Sequence, residues 1–241
     1  MKVLGVIPAR FASTRFPGKP LATLSGKPMI QWVYENASKS SINKIVVATD
    51  DNRIVAACEK FGAEVQLTSP SHESGTDRCS EVLKRYSNYD VIINVQGDEP
   101  FVDPDLLNRL IKLFDNPLVD IVTAIYPLTD ENELENPNVV KAIVSKNNKA
   151  LCFTRSKAPF VRNNIETQVH YQHIGIYAYR ANVLEQISAL PQSPLELTES
   201  LEQLRWLEND YSIYCVETDK LSFGIDTPED LEKAKKHLKQ L

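Results

Sequence analysis

Through its first half the chain alternates short apolar runs with segments of helical periodicity, and this rhythm restricts its possible folds more than any other feature. Val3–Ile7, Lys44–Thr49, Glu64–Leu67, Val91–Val95 and Ile121–Tyr126 read as strands. Helical patterns lie between them. Pro28 can open one at its first position, with Met29, Ile30, Trp32 and Val33 on its apolar side. Asn52–Phe61 is closed by Gly62, and Thr76–Tyr86 and Pro104–Asn116 follow. Strands that are apolar along their length need cover on both faces. The alternation therefore predicts an α/β fold, a mainly parallel sheet between helical layers. Such sheets bind ligands beyond the carboxyl ends of their strands, where strand order switches.

After about residue 127 the rhythm changes. Val139–Val144 and Leu151–Thr154 flank "SKNNKA" and read as a hairpin, and His173–Tyr179 as a further strand. "SPLELTESLEQLRWLEND" opens with Ser193, Pro194 and Glu196, a capping-box signature, and continues as a helix. Tyr211–Val216 reads as a late strand and "DTPEDLEKAKKHLKQL" as a helix. With no repeat or linker in sight, the expectation is one domain over residues 1–241 with an inserted subdomain at roughly 128–180.

A net charge of −5 argues against a broad nucleic-acid surface, so any anion site must be a local basic cluster. The four cysteines lie far apart and form no C-x-x-C pair, which leaves zinc or thioredoxin-like chemistry without support. The apolar start is too short for a signal peptide, and no apolar run approaches the ~18 residues of a membrane span. These features lead us to expect a reduced, cytoplasmic protein with neither nucleic acid nor membrane as partner.

The local basic cluster comes immediately after the first strand. "IPARFASTRFPGKP" carries Arg10, Arg15 and Lys19 beside Ser13, Thr14 and Gly18. It is neither G-x-G-x-x-G nor a P-loop. Two guanidinium forks, a point charge, hydroxyl donors and a close-approach glycine nevertheless suit phosphate oxygens. Pro17 and Pro20 stiffen the loop, and a bound triphosphate would relieve the repulsion among three cations. A solvated basic loop fits the composition as well; the position after the first strand favours the anion site.

"IPARFASTRFPGKPL" resembles the signature of the 3-deoxy-manno-octulosonate cytidylyltransferases, or CMP-Kdo synthetases. "SGTDR", "NVQGDEP", "HIGIYAY" and "LEQLRWLE…GIDTPEDLE" agree with the same family, so the resemblance spans the chain. It implies a Rossmann-like nucleotidyltransferase sandwich with a mixed, mainly parallel sheet, whose inserted subdomain binds sugar and forms a homodimer contact. The implied reaction joins CTP to the sugar acid Kdo with magnesium, giving CMP-Kdo and pyrophosphate for lipopolysaccharide biosynthesis.

Asp98 follows the buried run "VIINVQG", where a parallel sheet opens to ligand, and Asp226 ends "FGID". Read from their surroundings, either can be a turn carboxylate, Asp226 especially, since "TPED" after it starts a helix. The resemblance selects both as magnesium ligands, consistent with a cation that takes one or two carboxylates plus phosphate oxygens. It places Arg10, Arg15, Lys19 and Asp98 at the catalytic centre. Pro8, Ala9, Arg10, Ser13, Ser74, Gly75, Arg78 and Gln96 are implied around the nucleotide. Without it, "SGTDR" reads equally as a plain helix cap.

His173, Gly175, Tyr177 and Tyr179 share one strand face by period two, with Ile174, Ile176 and Ala178 on the core face. That first face suits a hydroxyl-rich ligand or simply solvent. Arg155 offers a fork for an acidic sugar's carboxylate. Glu199, Glu202, Gln203 and Trp206 cluster at helical spacing, which fits a sugar-binding face or an ordinary amphipathic helix. The resemblance implies Arg155, His173, Tyr177, Glu202 and Gln203 for the sugar acid. Three other readings remain: a CMP synthetase for 8-amino-Kdo or a sialic-type acid, a nucleotide-sugar glycosyltransferase, for which "GDEP" lacks the D-x-D motif, and a non-catalytic nucleotide-binding module.

Overall fold

In the first strand, β1 (Val3–Ala9), every residue but Pro8 is buried, as expected of a strand covered on both sides. In this computed structural model, residues 1–12, 15–163, 169–221 and 224–238 are described. After β1 come a 3-10 turn at Lys19–Leu21, β2 (Thr23–Leu24), β3 (Lys27–Pro28), α1 (Met29–Ala37), β4 (Lys44–Thr49) and α2 (Asn52–Lys60). They lead to β5 (Glu64–Leu67), α3 (Gly75–Arg85), β6 (Val91–Asn94), α4 (Pro104–Lys112) and β7 (Ile121–Leu128). The rest comprises α5 (Glu131–Glu135), β8 (Lys141–Val144), β9 (Ala150–Thr154), β10 (His170–Arg180), α6 (Ala181–Ser188), α7 (Pro194–Glu199), α8 (Glu202–Glu208), β11 (Ile213–Glu217) and α9 (Pro228–Leu238).

The main sheet runs β11-β7-β10-β6-β1-β4-β5. On that path β10 alone is antiparallel to its neighbours, and the other pairings are parallel. From β1 the chain steps to β4 and β5 on one side, then crosses to β6 on the other. The switch therefore falls at β1 and β6, and a crevice opens past their carboxyl ends. Strand alternation sends Ile7, Val47 and Ile93 to one face, where they pack with Ile30, Val33, Ile54 and Leu107 of α1, α2 and α4. Val6, Val46 and Ile92 point to the other face, toward Cys79, Val82, Leu184 and Leu204 of α3, α6 and α8. This is the mainly parallel α/β sandwich expected from the sequence.

Several local expectations change. Pro28 does not open α1 from within; it is its extended N-cap, held in the short β2–β3 pair. The expected single helix from Pro194 is two. Ser200, at φ 52°, closes α7, and α8 restarts at Glu202. A buried ion pair between Arg205 and Glu196 folds the two helices together. Burial alone would raise the Glu196 pKa, but Arg205 and the Ser193 main-chain N–H outweigh it and hold the carboxyl below its ordinary value.

The strand expected at His173–Tyr179 is longer, and both of its faces are covered. Ile174, Ile176 and Ala178 enter one core, as read from the sequence, while Tyr177 and Tyr179 enter the other, edge-on to Trp206 with ring centroids 5.0 and 5.6 Å away. A register break lies between Ile174 and Tyr177 opposite Ala124 and Thr123. Residues 128–180 supply α5 and the expected hairpin β8–β9, which pairs onto β10; β10 itself is a central strand.

Candidate active site

A cleft of about 290 Å³ lies at the strand-order switch, lined by Pro8, Ala9, Arg10, Ala12, Lys19, Pro20, Gly75, Gln96, Gly97 and Asp98. Pro8 and Ala9 end β1. Gln96 to Asp98 follow β6, and Gly75 is the first residue of α3, whose N-terminus borders the opening. Ser74 caps that helix: its hydroxyl accepts from Asp77 N at 3.1 Å, while Asp77 accepts from Ser74 N at 3.2 Å. The capping box accounts for Ser74 and leaves Gly75 as the residue of closest approach.

The loop after β1 is closed by main-chain bonds. Gly18, in the left-handed region at φ 72°, donates to Phe11 O at 2.9 Å, and Pro20 then enters the 3-10 turn that begins at Lys19. Phe11 also lies under the Arg53 guanidinium, 3.3 Å from ring centroid to Cζ. Ser13, expected at the nucleotide, lies outside the described residues.

Lys19 is the electrostatic centre of the cleft. Its Nζ donates to Asp98 Oδ2 at 2.6 Å and to Asp226 Oδ1 at 3.0 Å. Arg15 donates to the other Asp226 oxygen at 3.0 Å, and Arg10 to the Glu73 carbonyl. Burial pulls the Lys19 pKa down, but the two carboxylates outweigh it and raise the value above its ordinary one. The two acidic residues also meet through the main chain, where Ile225 N donates to Asp98 O at 2.9 Å. Asp226 lies in irregular chain, Gly224 to Asp226, just before α9. Its side chain does not cap α9, because Thr227 and Asp230 do so reciprocally at 3.2 Å, which leaves the Asp226 carboxylate for Lys19 and Arg15.

Gly97 lets the strands approach this closely. A Cβ there would lie far inside contact distance of the Pro8 carbonyl oxygen, which is main chain and cannot turn aside. Gly97→Ala should therefore spread β1 from the turn after β6. Stability is expected to fall by about 1–3 kcal/mol, as urea titration measures.

From the cleft, the Gln96 side chain reaches β10 and donates to Gly175 O at 2.7 Å. Phe153 and Tyr177 surround His173, with centroids 5.0 and 5.3 Å away, and burial pushes its ring pKa down to about 3. Gln203 and Tyr177 are buried. Thr76 of α3 donates to Glu202 Oε2 at 2.7 Å. Nothing local in the sequence marks Thr76 for this role, since its partner is 126 residues away.

Burial raises the Glu202 pKa, against the opposing pull of the Thr76 and Ser74 hydroxyls and of Arg205. The native state then holds this proton more tightly than the unfolded chain does, so native stability falls as pH rises from the unfolded pKa toward the native one. Glu202→Gln removes that penalty. The variant's stability relative to wild type, from urea midpoints, should be higher at pH 7.5 than at pH 4.

Arg78 and Arg155 are engaged elsewhere. Arg78 is fully buried and donates to Thr68 Oγ1 and, at 3.2 Å, to Asp50 Oδ2. Its guanidinium braces α3 against the β4–β5 side of the sheet rather than lining the cleft. Arg155 donates to the carbonyls of Glu199 at 2.6 Å, Pro137 at 2.9 Å and Ser200 at 3.3 Å. Glu199, expected on the same helix face as Glu202, instead accepts from Thr154 Oγ1 and Arg155 N at 2.7 and 2.8 Å. The helix break at Ser200 separates the two glutamates: Glu202 reaches α3, while Glu199 clamps the end of β9.

A cleft with cations and carboxylates at a strand-order switch is the geometry of a nucleotide-handling sheet, and comparison with known proteins agrees. The family model described as Cytidylyltransferase matches residues 4–217. The chain is 50% identical over 244 residues to the 3-deoxy-manno-octulosonate cytidylyltransferase of Parabacteroides distasonis, covering 97% of each. It is 43% identical to the Fusobacterium nucleatum enzyme of that name, covering 100% of this chain and 98% of the relative. A solved structure of CMP:2-keto-3-deoxy-manno-octonic acid synthetase complexed with CTP superposes with a TM-score of 0.95 at 41% identity, covering 100% of this chain and 99% of the other. The sandwich, the cleft at its switch and likeness along the full length together show that the chain belongs to the family of 3-deoxy-manno-octulosonate cytidylyltransferases.

Proposed function

We propose that this chain transfers CMP from CTP to the anomeric hydroxyl of Kdo, releasing pyrophosphate and supplying CMP-Kdo for lipopolysaccharide biosynthesis. The observation that carries the reading is Lys19 held between Asp98 and Asp226 in a cleft walled by Arg10, Gly75 and Gln96. It is supported by a synthetase structure, 41% identical and complexed with CTP, that matches the whole chain.

The anomeric oxygen attacks the α-phosphorus in line and gives up its proton to solvent, the bond from the α-phosphorus to the bridging oxygen of the β-phosphate breaks, and pyrophosphate carries that electron pair away. The chain's contribution is chiefly position and charge. Arg10, Arg15 and Lys19 neutralise the triphosphate and the leaving pyrophosphate. Pro8, Ala9, Gly75 and Gln96 shape the nucleotide wall. His173, Tyr177, Glu202 and Gln203 face the sugar acid, and Arg155, just after β9, is the cation assigned to its carboxylate.

Asp98 and Asp226 suit magnesium. Both present hard carboxylate oxygens, and both already converge on one positive charge, the Lys19 ammonium. Held by these two carboxylates, magnesium would supply Lewis-acid polarisation of the α-phosphate and lower the pKa of the attacking hydroxyl.

A homodimer and a cytoplasmic location belong to the same proposal. Leu151 on β9, Phe160, and Leu195 and Leu197 on α7 remain exposed, and such apolar surface suits a contact with a second copy. Among the described residues no helix is long and apolar enough to cross a membrane. The test is pyrophosphate release with each of the four common nucleoside triphosphates, with and without Kdo. Release confined to CTP plus Kdo is expected, whereas release with a sialic-type acid and not Kdo would transfer the reading to that substrate.

A further inference from the structure

The register break in β10 leaves the carbonyls of Ile174 and Ile176 facing β7 at a point where the ladder is interrupted. The fully buried Thr123 sits opposite. Its Oγ1 lies 2.8 Å from Ile176 O, 3.1 Å from Ile174 O and 3.0 Å from His173 Nε2. A hydroxyl has one proton, and carbonyls only accept. With its proton given to one of these carbonyls, Thr123 has only lone pairs left for the imidazole.

The geometry points to Thr123 as a positioning residue that fixes His173 as the Nε2–H tautomer and leaves Nδ1 as a hydrogen-bond acceptor for a hydroxyl of the sugar acid. His173 Nδ1 has no partner among the described residues, while the ring is held on its other sides by Phe153 and Tyr177. The low basicity of the half-buried ring keeps it neutral at working pH, so the acceptor is present throughout. One side chain thus closes an irregular stretch of sheet and sets the polarity of a ring 50 residues away. A bare Nδ1 selects a ligand group that donates, and a polyhydroxy acid offers several. This inference rests on the reading that places His173 in the sugar-acid pocket.

The experiment combines long-range proton–nitrogen NMR of histidine-labelled protein with steady-state kinetics. In the wild type the His173 signal, assigned by its loss in His173→Gln, should show the proton on Nε2. Thr123→Val should redistribute that proton toward Nδ1 and raise the KM for Kdo by roughly tenfold, as for one lost hydrogen bond in a closed pocket. CTP affinity should stay within about twofold of wild type. Thr123→Ser keeps the hydroxyl and should restore both readouts. A wild-type proton on Nδ1, or a Thr123→Val protein with unchanged tautomer, overturns the inference; the first measurement needs no variant to fold. His173→Gln separates the two ideas. An unchanged KM for Kdo there removes His173 from the sugar pocket, and the tautomer data still decide whether Thr123 sets the ring.

Discussion

Asp98→Asn and Asp226→Asn are each expected to lower CMP transfer by about a hundredfold or more, as for loss of a fixed charge at a phosphoryl-transfer centre. Each change keeps the side-chain shape and removes one negative charge. Magnesium sheds its waters reluctantly and depends on anionic ligands to be held beside a triphosphate. Excess magnesium should therefore recover part of the activity. The fold should survive, because both side chains are partly exposed at the cleft, 32% and 45%. As the proposed ligands of one ion the two act as a unit, so the double variant should be little worse than the poorer single one. Pyrophosphate release across a magnesium titration measures all three proteins. Full activity of Asp226→Asn at low magnesium, beside an inactive Asp98→Asn, would confine Asp226 to its ion pairs with Arg15 and Lys19.

Lys19→Ala is expected to lose two to three decades of turnover, about 3–4 kcal/mol for one preorganised charge beside a developing anion. The structure adds a second effect. Lys19 Nζ fills the position between Asp98 and Asp226, so its removal leaves two neighbouring carboxylates with only the exposed Arg15, on Asp226, as counter-ion. Like charges so placed attract a divalent cation. Manganese binding in the absence of nucleotide should therefore strengthen in Lys19→Ala while turnover collapses, a combination that general unfolding cannot produce. Paramagnetic titration with Mn²⁺ gives the first quantity and pyrophosphate release the second. Near-normal turnover in a folded Lys19→Ala protein would remove the loop from the reaction.

The sheet was legible because its information is local. Buried strands such as Val91–Asn94 must be apolar along their length, and their helices carry their own stop signals, as Gly62 does at φ 76° after α2. The break at Ser200 was not legible. Local propensity favours one helix from Pro194 onward, and only the buried Glu196–Arg205 pair, formed across the turn, overrides it. The covered faces of β10 were missed for a related reason. Alternation shows which residues share a face, but the cover over Tyr177 and Tyr179 comes from Trp206, on a helix whose start the sequence misplaced.

The candidate site divides in the same way. By itself the sequence determined that a cationic loop follows the first strand and that carboxylates stand at Asp98 and Asp226, because those are properties of short segments. It suggested that repulsion among Arg10, Arg15 and Lys19 calls for a bound anion. Tertiary structure showed that the chain supplies part of the answer, pairing Lys19 with Asp98 and Asp226 across 79 and 207 residues of sequence. It also decided that Arg78 and Arg155 spend their forks on Asp50, Thr68 and main-chain carbonyls, and that a threonine on β7 faces the ring of His173. The physical reason is range. Strand pattern, caps and charge clusters are set by neighbours along the chain, whereas the partner of a buried polar group is set by which segments the folded sheet brings within about 3 Å.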